Sequence, residues 1–290
     1  MCINYLNLEN KVLSNIETLK EFDFKFNKSF GQNFIFDKNF LESIVRDCGI
    51  TKDTTVVEIG AGAGTLTSML CEHAKKVYSY EIDHNLKPIL EKVQQKYPNL
   101  DLTFKDIMKE DIANLEERIG EDYVIVANLP YYITTPIIFL FLDNAKKLKS
   151  MSIMVQLEVA ERITAKPNTA EYGAITPSID FRGDASIIKK VGRHMFTPAP
   201  NVDSAIVKID FKEKYDIIDQ PTLEKVIKSA FAMRRKTLYN NIKTSFGLPK
   251  EVIEDVFAKC DLPMTIRGEV LDTASMVRLA NELYGVIHNK

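Results

Sequence analysis

VVEIGAGAGTLT, residues 56–67, joins a run of β-branched residues to a helical pattern through three alternate glycines. The apolar run before the first glycine is typical of a buried strand, and a helix is predicted to begin at Thr65. Gly60, Gly62 and Gly64 permit a tight turn and let a ligand lie against bare backbone. The stretch therefore predicts the first strand–turn–helix unit of an α/β fold, although a tight turn without a ligand would use the same glycines.

Strand and helix patterns alternate beyond this loop. Further strands are predicted at 77–82, 102–104, 123–127 and 151–157, with helices at 87–96 and 137–142. Continuous apolar strands between helical segments favour a parallel, doubly wound sheet that is covered on both faces. The later stretches ASIIKKVGRHMF and SAIVKIDF predict an antiparallel edge pair, because a proline-bearing loop joins them.

Three segments differ in pattern along the chain. Residues 1–24 have the apolar spacing of an amphipathic helix and form an N-terminal extension. Residues 25–211 contain the strand–helix alternation and are predicted to form one α/β domain. Residues 212–290 contain helical patterns and are predicted to form a small all-helical domain.

Composition excludes several classes of protein. The chain has 290 residues, a net charge of −2 and 45% hydrophobic residues, which is typical of a soluble globular protein. Its longest strongly apolar stretch, 137–142, is too short to span a membrane, and we expect no signal peptide. Four cysteines are scattered without paired spacing, so we expect a cytoplasmic protein without a metal site. We also expect a monomer.

Two acidic residues follow consecutive predicted strands. Glu81 closes the second strand, where a carboxylate can accept both ribose hydroxyls of NAD or of S-adenosylmethionine. Asp106 follows the third strand and could accept from an adenine amino group. Taken singly, either acid could be a solvated surface charge, but together they lie along one crevice of an open α/β sheet.

Glycine spacing separates the two cofactor classes. A dinucleotide fingerprint needs its third glycine at the position of Thr65. The spacing ExGxGxG, from Glu58 to Gly64, instead resembles the S-adenosylmethionine loop of Rossmann-like methyltransferases.

ANLPYYITTP, residues 127–136, ends the fourth predicted strand on an amide. The Asn128 carbonyl can accept from an exocyclic amine. Pro130 stiffens the turn and gives the Leu129 carbonyl a fixed direction, while Tyr131 offers a flat face on which a base can stack. A plain turn with core aromatics is the alternative interpretation.

This arrangement fits the chemistry of an adenine amino group. The amino nitrogen is a poor nucleophile, because its lone pair is delocalised into the ring. Two acceptors aimed at its hydrogens would favour a tetrahedral nitrogen whose lone pair faces a sulfonium methyl. Catalysis would then come from alignment and fixed dipoles, without a metal or a strong base.

The motifs together resemble one family. From about Phe24 to Tyr284 the chain contains, in order, FGQNFIFD, EIGAGAGTLT, EID, NLPYYITTP, FTPAPNVDSAIV and AFAMRRKTLYNN. It is similar to the ribosomal RNA adenine-N6 dimethyltransferases, and most of all to the small-subunit KsgA/RsmA family. The resemblance implies a Rossmann-like, S-adenosylmethionine-dependent domain and a helical RNA-binding domain. It also implies dimethylation of two adjacent adenosines near the 3′ end of 16S rRNA, in precursors of the 30S subunit, and a role in ribosome biogenesis.

The resemblance also implies roles for individual residues. Asn33 and Ile35 would close over the methionine end of the cofactor, and Phe196 would sandwich the target base against Tyr131. The remaining cofactor residues would be Gly60, Glu81, Asp106 and Asn128. Phosphates of the RNA would meet the basic cluster Arg234, Arg235 and Lys236.

Other functions stay open at this point. The erythromycin-resistance methyltransferases act on 23S rRNA and share the loop and a similar Asn-x-Pro-Tyr. An assembly factor with little catalysis would retain the fold. A nicotinamide oxidoreductase is disfavoured by the glycine spacing, and a DNA adenine methyltransferase by NLPY in place of Asp/Asn-Pro-Pro-Tyr.

Overall fold

The computed structural model describes residues 32–288. The helical extension predicted for residues 1–24 lies outside these residues. The strands, in chain order, are β1 (Phe34–Ile35), β2 (Thr55–Ile59), β3 (Lys76–Glu81), β4 (Leu100–Phe104), β5 (Tyr123–Asn128), β6 (Leu148–Gln156), β7 (Gly183–Val191), β8 (Phe196–Thr197) and β9 (Ser204–Phe211).

The α-helices follow the same order. They are α1 (Lys38–Asp47), α2 (Thr65–His73), α3 (Lys87–Lys96), α4 (Ile112–Ile119), α5 (Thr134–Asn144), α6 (Leu157–Ile163), α7 (Ile175–Asp180), α8 (Gln220–Ala232), α9 (Leu238–Phe246), α10 (Lys250–Lys259) and α11 (Thr273–His288).

Seven strands of the described chain form one sheet in the order β4-β3-β2-β5-β6-β9-β7. In this order, the five strands β4, β3, β2, β5 and β6 are parallel to one another, and β9 runs antiparallel to β6. The predicted mostly parallel α/β sheet is therefore confirmed. The order reverses between β2 and β5, and such a switch point is where open α/β sheets bind ligands.

A second, two-stranded sheet was not predicted. β1 pairs antiparallel with β8, so that Ile35 lies opposite Phe196. Each strand has two residues, which is too short to show the alternation that identifies a strand in sequence. The pairing joins the residues before α1 to the loop before β9.

Helix α1 shows why these elements pack. Asp37 caps it by accepting from the Phe40 amide, and the helix buries Leu41, Ile44 and Val45. This i, i+3, i+4 spacing forms one apolar stripe along a helix. The buried stripe belongs to a core that also contains residues of β2, β3 and α2.

The chain divides into two compact units. One contains the described residues up to Ala160 together with Ser186–Asp210, and the other contains Glu161–Ala185 and the chain from Phe211. The second unit has its own apolar core, to which α8–α11 contribute. Tyr172 belongs to that core and donates to the Leu271 carbonyl at 2.8 Å. No helix in residues 32–288 is long and apolar enough to cross a bilayer.

Candidate active site

A cavity of about 320 Å³ opens where strands β2 to β5 end. Its lining brings together the residues that the sequence analysis assigned to the cofactor and to the reaction, namely Asn33, Ile35, Gly60, Glu81, Asp106, Asn128, Leu129, Pro130, Tyr131 and Phe196. The carboxyl ends of neighbouring parallel strands meet at one sheet edge, which explains how side chains far apart in sequence share one cavity.

The glycine loop passes close to its neighbours. Gly60 and Gly62 have φ values of +82° and +56°, in the left-handed region that favours glycine. A Cβ atom on Gly60 would lie 3.3 Å from the Asn128 carbonyl oxygen, and one on Gly62 would lie 2.9 Å from the Phe34 ring. Bare backbone therefore forms one wall of the cavity.

Glu81 holds this loop against the end of β3. Its carboxylate accepts from the backbone N–H groups of Gly62 at 2.8 Å, Ile82 at 2.9 Å and Asp83 at 2.8 Å. Burial raises the pKa of Glu81, and these N–H donors oppose the rise. A carboxylate offers about four acceptor positions, so Glu81 retains acceptor capacity for a ligand hydroxyl.

Asp106 lies at the next strand end. Its Oδ1 accepts from the Met108 amide at 3.0 Å and so begins a short 3₁₀ helix. The Lys105 amide just before it donates to the Glu81 carbonyl at 3.0 Å. These backbone contacts fix the half-buried Asp106 carboxylate beside Glu81 at the cavity.

Asn128 ends β5 with a defined orientation of its amide. Its Nδ2 donates to the Asn33 carbonyl at 3.2 Å. The Thr65 hydroxyl anchors the same segment by donating to the Ile35 carbonyl at 2.8 Å. One of the two amide hydrogens is used by Asn33, which holds the side chain in place, so Asn128 can offer its side-chain oxygen to a ligand.

The turn after Asn128 is held by hydrogen bonds to the Pro130 carbonyl. The Pro130 carbonyl accepts from the Ile133 amide at 3.1 Å and from the Thr134 hydroxyl at 3.3 Å. The Leu129 side chain is buried. Both contacts belong to the first turn that leads into α5, so the backbone leaving the strand end has a fixed course.

Tyr131 and Phe196 are both held in place. The Tyr131 hydroxyl and Ser204 Oγ share a hydrogen bond of 2.9 Å, and burial raises the pKa of Tyr131, which keeps the phenol protonated. Phe196 is buried, lines the cavity and lies opposite Ile35 in the β1–β8 pair. Both aromatic rings therefore border the space next to Asn128.

Some residues of the site were not identified from the sequence. Ser204 supports Tyr131 from β9, and Gln32 Nε2 donates to Asp83 Oδ2 at 2.7 Å. Asp83 also accepts from the Asn85 amide and caps the short 3₁₀ helix His84–Leu86. Ser204 lies within the quoted motif FTPAPNVDSAIV, but its partner is 73 residues away.

The basic cluster lies in the second unit. Arg234, Arg235 and Lys236 are exposed and occupy the connection between α8 and α9. Thr237 caps α9 directly after them, accepting from the Asn240 amide. The cluster therefore stands on a short connection between two helices rather than on a helix face.

Comparison with known proteins decides the family. Residues 23–283 match the family model described as ribosomal RNA adenine dimethylase. The chain belongs to this family. It is an rRNA adenine dimethyltransferase, and the resemblance seen in its motifs is confirmed.

Relatives of this rRNA adenine dimethyltransferase extend over nearly its whole length. The ribosomal RNA small subunit methyltransferase A of Clostridium botulinum (strain Langeland) is 42% identical over 273 residues, which cover 93% of this chain and 98% of the relative. A dimethyladenosine transferase structure from Plasmodium falciparum is 26% identical with a TM-score of 0.76, over 87% of this chain and 97% of that one.

The 23S rRNA methyltransferase ErmE has a similar structure. It is 23% identical with a TM-score of 0.67, and the match covers 87% of this chain and 100% of ErmE. At that identity the likeness concerns the fold. The two solved structures agree with a Rossmann-like methyltransferase fold for this family member.

Proposed function

We propose that this protein dimethylates, at N6, two adjacent adenosines near the 3′ end of 16S rRNA, using S-adenosylmethionine as the methyl donor. Its substrate would be a precursor of the small ribosomal subunit, on which it would act as a monomer. The observation that carries the proposal is the position of Asn128 at the cavity, where one N–H of its amide donates to the Asn33 carbonyl and its side-chain oxygen can accept from an amine.

The cavity fits the proposed cofactor. Glycine backbone forms one wall, at positions where a Cβ atom would meet Asn128 or Phe34. Glu81 would accept from ribose hydroxyls and Asp106 from the adenine amine, and Asn33 and Ile35 would cover the methionine end. When bound, S-adenosylmethionine would supply an electrophilic methyl group on a sulfonium.

The chain's own residues would orient the target amine. Asn128 Oδ1 and the Leu129 carbonyl would accept its two hydrogens, which turns the nitrogen lone pair toward the methyl group. Tyr131 and Phe196 would hold the base between their rings. Alignment of this kind contributes without a metal or a general base, since the methylated nitrogen loses its proton readily to water.

The small-subunit substrate is favoured over the large-subunit one by similarity. The relative named a small subunit methyltransferase is 42% identical over 93% of the chain, whereas ErmE is 23% identical. Arg234, Arg235 and Lys236 would bind phosphates, which adds affinity without reading sequence.

Methyl transfer from labelled S-adenosylmethionine tests the proposal. Unmethylated small subunits and large-subunit RNA serve as separate substrates, and the product is analysed as dimethyladenosine. We expect label in small subunits, and a roughly 100-fold or greater loss of kcat in Asn128→Ala, as for other preorganised polar groups.

A matched variant controls for loss of an asparagine. Asn144→Ala removes an amide that donates within its own helix, to the Leu140 carbonyl, and it should keep wild-type activity. Label in large-subunit RNA alone would contradict the proposed substrate. Full activity of Asn128→Ala would contradict the proposed mechanism.

A further inference from the structure

Two consecutive tyrosines line the cavity and differ in exposure. The Tyr131 ring is half-buried, and its hydroxyl is bonded to Ser204. The Tyr132 side chain is 67% exposed and belongs to the same cavity lining. One ring is therefore fixed inside the site, and the other stands at its mouth.

The backbone fixes where Tyr132 stands. It lies within the turn that is closed by the Ile133 amide donating to the Pro130 carbonyl at 3.1 Å. Helix α5 begins two residues later, at Thr134. Because the turn is closed by this backbone hydrogen bond, the Cα atom of Tyr132 has a fixed position at the cavity mouth.

An RNA substrate would bring more than one base to this mouth. An adenosine whose amine reaches Asn128 must leave its stack, and its neighbours in the strand lose a stacking partner. Those neighbouring bases are carried to the rim by the backbone. Single exposed apolar residues are common on protein surfaces, so exposure alone would mean little. Here the exposed ring stands where an unstacked base must pass.

We propose that Tyr132 is a stacking platform for the unpaired base that flanks the target adenosine. The inference rests on the proposed function, because it needs an RNA adenosine in the cavity. The ring offers its face to any base, so the subsite holds a flanking nucleotide without reading its identity.

Fluorescence of 2-aminopurine tests the contact directly. Two unmethylated small-subunit RNAs are prepared, one with the probe on the 5′ side of the target adenosine and one with it on the 3′ side. Each RNA is mixed with full-length protein. We expect quenching of at least one probe by wild type and by Tyr132→Phe, which keeps the ring face. Tyr132→Ala should leave both probes bright.

Kinetics supply the second measurement. Tyr132→Ala should raise KM for small subunits by roughly tenfold, the effect of losing one base–aromatic stack, while kcat and affinity for S-adenosylmethionine stay at wild-type values. Ile218→Ala is the matched control, because Ile218 is 61% exposed and is not part of the cavity lining. It should behave as wild type does.

The outcomes separate this inference from the proposed function. Wild-type quenching and KM in Tyr132→Ala would overturn the platform. An equal loss in Tyr132→Phe would also overturn it, because the hydroxyl rather than the ring face would then make the contact. Absence of methyl transfer by the wild-type protein would instead overturn the proposed function.

Discussion

Glu58 lies inside the sheet, directly before the glycine loop, and is fully buried. Burial raises its pKa from 4.5 to about 7, against the lowering effect of a 2.6 Å hydrogen bond from Ser79 Oγ. The folded protein therefore binds a proton at this carboxyl more tightly than the unfolded chain does. Stability linked to Glu58 is fully present below about pH 4.5 and falls as pH rises toward 7.

Replacing Glu58 with glutamine should remove this pH dependence. Relative to wild type, Glu58→Gln should gain up to about 3 kcal/mol in free energy of unfolding between pH 5 and pH 8. Urea denaturation at both pH values measures the change. Glu254→Gln is the control on an exposed helical position, and an equal gain there would contradict the assignment to Glu58.

The hydroxyl of Tyr131 should act through Ser204 alone. Ser204→Ala and Tyr131→Phe each remove the same hydrogen bond, worth about 1 kcal/mol, so each should lower kcat/KM several-fold. The double variant should be no worse than either single variant. A double variant whose losses multiply would show that the two side chains act independently.

At the level of elements, the β1–β8 pair brings distant parts of the chain to one cavity. β1 presents Phe34 to the glycine loop, and the residue before it accepts from Asn128. β8 carries Phe196, which lies opposite Ile35. The site therefore depends on two short strands that lie outside the main sheet.

Gly62→Ala should disturb the contact between the glycine loop and β1. The added Cβ would lie 2.9 Å from the Phe34 ring, at a φ of +56°, so both backbone strain and displacement of β1 are expected. Calorimetry should show cofactor affinity reduced by more than tenfold, roughly the effect of 1.4 kcal/mol.

Gly49→Ala is the control for backbone strain without displacement of β1. Gly49 has a φ of +78°, and no atom of residues 32–288 beyond its chain neighbours lies within 4 Å of the added Cβ, so the cost should be only about 1–2 kcal/mol of stability. Its cofactor affinity should equal that of wild type. Equal losses of affinity in both glycine variants would contradict the role of the Phe34 contact.

Sequence reasoning succeeded where a periodic pattern or a strand end carried the signal. Helix α2 was predicted from Thr65, where it begins. Glu81 and Asp106 were predicted along one crevice because they close or follow parallel strands, and both line the cavity. The β1–β8 pair was missed, because two-residue strands have no period. Ser204 was missed because its contact with Tyr131 arises only from strand order in the folded sheet.

At the level of the whole molecule, the residues proposed for methyl transfer and those proposed for RNA binding lie in different units. The cavity lining lies in the first unit, and the basic cluster Arg234–Lys236 lies in the second. The second unit also contains Glu161–Ala185, which the sequence pattern did not separate from the α/β domain. No composition change marks that segment, so its assignment needed contacts such as Tyr172 with Leu271.

Neutralising the basic cluster should weaken RNA binding without affecting the cofactor. The triple alanine variant of Arg234, Arg235 and Lys236 should bind small subunits more weakly. The slope of log affinity against log salt should fall by roughly three, while affinity for S-adenosylmethionine stays constant.

A charge-matched triple variant provides the control. Lys250, Lys259 and Arg267 lie in the same unit, but each is within 4 Å of a carboxylate, at 3.5, 2.9 and 3.9 Å respectively. Their replacement by alanine should leave the salt slope near its wild-type value. An equal fall in both triple variants would indicate net charge rather than a binding site.

The chain passes between its two units three times, after Ala160, after Ala185 and after Asp210. A protease that cuts only at the last crossing would sever the peptide backbone without releasing the C-terminal fragment. Glu161–Ala185 would remain on the N-terminal fragment and still share an apolar core with the chain from Phe211. Both fragments would migrate together under native conditions and separate only in denaturant. Moreover, a recombinant C-terminal fragment beginning at Phe211 would lack Tyr172 and Phe181, which belong to its core, so the excised piece should resist purification as a folded domain.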